Sequence, residues 1–105
     1  MSLQFKTESI EVDDKIMFGA LAELDNAVLC IIWMGEPPKL GSMTATLPNK
    51  TSGQLLGERD EVLSRMIGEK LVSRYGKMVL VSSHLPPGYK AGKEILELIK
   101  KLSGA

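Results

Sequence analysis

Eight consecutive apolar residues, Ala27-Val-Leu-Cys-Ile-Ile-Trp-Met34, constrain this chain more than any other feature. The run is rich in β-branched types, which suit the pleated surface of a strand. A strand that is apolar on both sides belongs in the middle of a sheet whose two faces are covered. Gly35-Glu36-Pro37-Pro38-Lys39 ends it, because two prolines remove two ladder donors. The rest of the chain has to supply the neighbouring strands and the layers that cover this one.

Before residue 56 the pattern is that of strands. Leu3 and Phe5 fall on one face and Ile10 and Val12 on the other, which predicts a first strand over 3–12 with a bulge near Thr7–Ser9. Asp13-Asp14-Lys15 supplies turn chemistry. Ile16, Phe18, Ala20, Ala22 and Leu24 then alternate as a half-buried strand. Asp25-Asn26 predicts a hairpin turn, since both residues tolerate positive φ. Leu40–Leu47 has the alternation of a further strand, Pro48–Gly53 is a polar loop, and Gln54-Leu55-Leu56 is a short strand at most.

From Glu58 to Tyr75 the period becomes helical, with Val62, Leu63, Met66, Ile67, Leu71 and Val72 on one stripe. Acidic residues crowd its start and Lys70 and Arg74 its end, which complements the helix dipole. Gly76 stands where a left-handed cap belongs, and Gly68 in mid-helix points to close backbone packing. A strand over Met78–Ser83 leads into a second helix over 90–102, whose apolar stripe is Ile95, Leu98, Ile99 and Leu102. Short polar turns between strands predict a sheet of about five to seven mainly antiparallel strands. Helices confined to the C-terminal half make the fold class α+β, a single domain over residues 1–105.

Bulk properties narrow the function. The chain has 105 residues, enough for one modest core. Thirteen basic residues balance 13 acidic ones, which argues against non-specific nucleic-acid or membrane binding, both of which draw on concentrated positive charge. Low net charge suits a protein that lives in a complex. No signal core opens the chain and no segment approaches the ~20 apolar residues of a membrane span. The expected location is the cytoplasm, with the nucleus open by size. A single cysteine, Cys30, excludes an internal disulfide and a cysteine-based zinc site, and its place mid-strand marks a structural thiol.

No catalytic set assembles from the motifs. Gly88-Tyr-Lys-Ala-Gly92-Lys93-Glu94 resembles a phosphate loop in joining strand to helix, but the glycine spacing is one residue short, and Glu94 stands where a magnesium-binding hydroxyl is needed. Ser82-Ser83-His84 lacks a nucleophile elbow, and adjacent strand residues point to opposite faces. Asp13-Asp14 and Glu23 with Asp25 lack the ligand spacing of a calcium loop. Glu61–Arg65 and Arg65–Glu69 are spaced for helix-surface ion pairs, on a face that is either solvated or a charged docking surface. Trp33 and Met34, beside Pro37, are residue types enriched at protein interfaces, and six methionines suit adaptable contacts. Trp33, Met34, Pro37, Arg65 and Glu69 are therefore the interface candidates; no catalytic, cofactor-binding or metal-ligating residue is assigned.

In order and spacing, several segments resemble the proteasome assembly chaperone 4 family. They are Leu29–Gly35 ending Trp-Met-Gly, Pro38-Lys39-Leu40, Leu55-Leu56-Gly57, the amphipathic helix, and Val79-Leu-Val-Ser82. The stretch between Ser42 and Gly53 is shorter here than the family form. The resemblance implies a non-enzymatic α+β protein without cofactors that pairs with a similar small chaperone, proteasome assembly chaperone 3. Such a pair holds proteasome α-subunits during ring assembly, and the isolated chain has the option of pairing with itself. Two alternatives differ in class. A roadblock- or profilin-like scaffold would place a helix early, where this sequence alternates as strands. A small phosphate-handling or hydrolytic enzyme would need 88–93 or Ser82–His84 to build a site.

Overall fold

The apolar run forms a strand over the expected residues and becomes the hub of a six-stranded sheet. The computed structural model describes residues 3–56, 61–86 and 92–104. The elements are β1 (Lys6–Val12), β2 (Lys15–Glu23), β3 (Ala27–Met34), β4 (Ser42–Thr46), β5 (Ser52–Leu56), α1 (Glu61–Tyr75), β6 (Met78–His84) and α2 (Gly92–Ser103). The strand order is β1-β2-β3-β6-β4-β5. Every pairing is antiparallel except β3 with β6, which run parallel from Ala27↔Met78 to Trp33↔His84. The class is α+β, with both helices in the C-terminal half and none among the described residues before residue 61. No described helix is long and apolar enough to cross a membrane.

Both helices lie on one face of the sheet. α2 packs on β1 and β2, and α1 on β4 and β6. Gly19 fixes the side: a Cβ there would meet Leu98 and Leu102 of α2. Strand alternation then sends Met17 and Leu21 of β2, Val28, Cys30 and Ile32 of β3, and Val79 and Val81 of β6 towards the helices. These join Ile67, Leu71 and Val72 of α1 and Ile95, Leu98, Ile99 and Leu102 of α2 in one buried core. Burying such aliphatic side chains contributes about 1.5–3 kcal/mol each.

Several sequence expectations change, among them β5, which covers Ser52–Leu56 and so begins inside the stretch expected as a loop to Gly53. The first strand begins at Lys6, and its register with β2 is unbroken from Lys6↔Leu21 to Val12↔Lys15, without the expected bulge. Ile10 and Val12 pack on the helix side, whereas Phe5 lines a groove on the other side, so its two apolar sets serve two faces of one regular strand. The positive φ values fall at Asp13 (48°) and Asp14 (64°), not at Asp25-Asn26, where Leu24 N–H instead donates to the Ala27 carbonyl at 2.7 Å.

The α1 stripe is turned from the one expected. Val62 is 78% exposed, and Ser64 and Gly68 face the sheet instead. Glu58 and Asp60, expected at the helix start, lie outside the described residues. The reason for the rotation is a hydroxyl-rich seam. β4 presents Ser42, Thr44 and Thr46 to α1, Ser64 Oγ lies 3.2 Å from Ser83 Oγ, and small groups let the helix sit close. A Cβ at Gly68 would run into the Thr46 side chain.

That contact reverses the sign of a substitution. Helix propensity alone favours Gly68→Ala by about 1 kcal/mol. Overpacking against Thr46 costs about 1–3 kcal/mol, so the sum predicts a net loss of up to about 2 kcal/mol, read as a lower urea midpoint at unchanged slope. A raised midpoint would mean that α1 and β4 have room to separate.

Candidate protein-interaction face

The sequence motifs for chemistry do not come together. Ser82 and Ser83 point to opposite sides of β6: Ser82 Oγ accepts the Gly41 N–H at 2.9 Å, while Ser83 Oγ pairs with Ser64 under α1. His84 is half-buried at the strand end, on the Ser82 side. Residues 87–91 of the glycine-rich stretch lie outside the described residues, and Lys93 and Glu94 stand in the first turn of α2. Among the described residues no three His, Cys, Asp or Glu side chains gather as a metal site. Cys30 is 1% exposed in the core, and burial pushes its thiol up to about 12.

The second face of the sheet is the notable surface. No helix of the described residues covers it, yet most of its central positions are apolar: Ile16, Phe18, Ala20 and Ala22 on β2, Leu29, Ile31 and Trp33 on β3, Leu80 on β6, and Met43 and Ala45 on β4, with the polar Thr7 and Ser9 of β1 and Ser82 of β6 among them. Its strand positions carry two ionisable side chains, Glu11 near the β1–β2 turn and His84 at the end of β6. An antiparallel sheet with one solvated face ordinarily alternates apolar with polar residues. Here the centre of both faces is apolar, and among the described residues β3 is covered by helices on one side only.

One segment of the chain does touch this face. After β3, residues 35–41 turn back across it, and Pro38, Lys39 and Leu40 with Phe5, Ala20, Ile31 and Trp33 line a groove of about 330 Å³. Gly41 is needed where the segment meets β6, because a Cβ would strike the Ser83 backbone. Trp33 lies flat beside Phe18, their rings 5.7 Å apart and 12° from parallel. Its indole Nε1 is buried and has no hydrogen-bond partner among the described residues. Leu40 stands 64% and Ile16 48% exposed on the same side.

The five interface candidates divide between surfaces. Trp33 and Pro37 line one groove on the open face. Met34 follows Trp33 in the strand, points to the helix side and packs against the core. Arg65 is exposed and Glu69 half-buried on α1, across the sheet from Trp33. Ile31, Leu40, Met43 and Leu80 belong to the open face but were not singled out by sequence. Their signal was available: two helices cannot cover both sides of a sheet this wide. Of the two edge strands, β1 carries Lys6, Glu8 and Glu11, and its Ser9 carbonyl accepts from Lys101 Nζ at 3.0 Å. β5 carries no charge and leaves Leu55 56% exposed.

No protein-family model matches the chain, and no curated protein is similar to it in sequence. Among solved structures the fold is shared with a chain from a chaperone complex for yeast 20S proteasome assembly, with a TM-score of 0.66. The match covers 96% of this chain and 92% of that one at 13% identity, so what the two share is the fold.

Three measurements follow from the burial. Trp33 is the sole tryptophan, so emission of the isolated protein should be blue-shifted and resistant to acrylamide; a water-like spectrum would place the indole in solvent. Iodoacetamide should label Cys30 only as fast as the protein unfolds. The thiol ionises in the unfolded chain near its ordinary 9.0 but in the fold only near 12. Its contribution to stability is thus complete below pH 9 and is lost as pH rises towards 12. Cys30→Ala should lose stability less steeply above pH 9 than the parent, and identical slopes would refute the assignment.

Proposed function

We propose that this chain is a non-enzymatic chaperone of core-proteasome assembly. It pairs through its open sheet face with a second small chaperone of similar fold, and the pair holds α-subunits while their ring is built. The observation that carries the proposal is the apolar sheet face left without a covering layer. A contiguous exposed apolar surface of this kind marks an interaction site in a soluble protein. The likeness to a chain of a proteasome-assembly chaperone complex and the ordered sequence resemblance from Leu29 to Leu85 support the same reading. The setting proposed is the cytoplasm, with access to the nucleus.

The size is suitable. A standard interface covers roughly 800 Å² per partner, close to an eighth of the 6095 Å² accessible surface. A similar sheet, laid face to face, would complete a sandwich with side chains from two apolar faces interdigitating. Trp33 and Ile31 would lie near its centre, the place where aromatic anchors contribute most. A roadblock- or profilin-like order is not favoured, since residues 15–34 form β2 and β3 without a helix.

Co-expression with a second assembly chaperone tests the pairing. Leu40→Glu and Ile31→Glu each place an unpaired carboxylate on the face, and burying one costs about 2–5 kcal/mol. The pair should therefore weaken by a factor of about 30 or more. Reversal of charge at Arg65 and Glu69 should leave pairing intact. Recovery of neither a second chaperone nor any α-subunit with tagged protein, from cells assembling proteasomes, would refute the functional reading. Pairing unaffected by both face variants would refute only the placement.

A further inference from the structure

The helical layer carries a feature that the sheet face leaves unused. On α2, Lys93, Leu96, Glu97 and Lys100 recur at three- and four-residue spacing and form one outward stripe. Lys70 of α1 stands against it, and the five residues line an open groove of about 560 Å³. Lys93 and Lys100 are exposed, while Lys70 and Leu96 are half-buried.

Neighbouring cations are already engaged. Lys77 holds the Glu23 carboxylate at 2.7 Å and the Leu24 carbonyl at 2.8 Å, Lys101 donates to the Ser9 carbonyl, and Arg74 Nε donates to the Ser103 carbonyl at 3.1 Å. Lys70, Lys93 and Lys100 have no such partner among the described residues. Three unengaged lysines therefore converge with one carboxylate on a groove that has a leucine in its lining.

We infer that this groove docks an acidic segment of a partner protein, its carboxylates meeting Lys70, Lys93 and Lys100 and an apolar side chain meeting Leu96. Charge complementarity selects that occupant. A nucleic acid is a poor fit: among the described residues the lining has no aromatic ring for base stacking, and the chain as a whole carries no net positive charge to hold a phosphate backbone. A membrane surface would need an apolar face broader than a single half-buried leucine. The groove lies on the helix side, opposite the apolar sheet face, so the two surfaces can be occupied together and fail independently.

The test uses the full chain and a short fluorescein-labelled peptide of repeated Glu-Glu-Leu units. Anisotropy should rise saturably, and binding should weaken as salt screens the contacts. The triple variant Lys70→Gln, Lys93→Gln, Lys100→Gln should bind about tenfold more weakly, as expected for three exposed charge contacts. Lys39→Gln, which removes one charge on the sheet side, should bind like the parent, whereas each single variant at Lys70, Lys93 or Lys100 should bind more weakly. The inference is overturned if the parent does not bind the peptide, or if the triple variant binds equally well. It is also overturned if a single-stranded oligonucleotide or phosphatidylserine vesicles bind more tightly and lose that binding in the triple variant.

Discussion

The parallel pairing of β3 with β6 holds the two halves of this chain together. β1 to β3 form a meander that packs under α2, and β4 and β5 form a hairpin that packs with α1. The ladder from Ala27↔Met78 to Trp33↔His84 is the backbone seam between them. It joins residues about fifty apart in sequence, so its loop-closure cost has to be met before it stabilises anything. The side chains along it explain why it holds: Val28, Cys30 and Ile32 meet Val79 and Val81 under the helices, all buried.

The same seam generates both surfaces. Alternation sends every second residue of β3 and β6 to the helices and the others to the opposite side. On the helix side, Leu98 and Ile99 close the core over β1 and β2, and a hydroxyl seam carries α1 over β4 and β6. On the other side the described residues add the turn-back of residues 35–41 and Phe5, without a helix. The result is a molecule with an apolar face and a charged helical back. Such asymmetry gives a small protein two separate surfaces, one apolar and one charged.

Much of the fold was legible in the sequence. Ala27–Met34 came out with its boundaries, because eight apolar residues closed by Gly35 and two prolines admit little else. The α2 stripe of Ile95, Leu98, Ile99 and Leu102 is buried as periodicity required. The α1 stripe was misread because Ser64 and Gly68, which face the sheet, are not apolar; close approach replaced bulk there. Phe5 and Ile10 suggested a bulge only under the assumption of a single buried face. Periodicity shows that a side chain avoids water, but not whether its cover belongs to the same chain. That limit hid the open face, which holds Ile31 and Leu80 as well as Trp33 and Pro37. Met34 looked like the partner of Trp33 in sequence, yet one step along a strand turns a side chain to the opposite face.

The most direct test is methionine oxidation footprinting of the proposed complex with an assembly chaperone of similar fold, against the free chain. Met43 and Met78 are half-buried on the open face, and Met66 is half-buried on α1. The account predicts that complex formation slows peroxide oxidation of Met43 and Met78 while Met66 reacts as before. Protection of Met66 with Met43 and Met78 unchanged would contradict it.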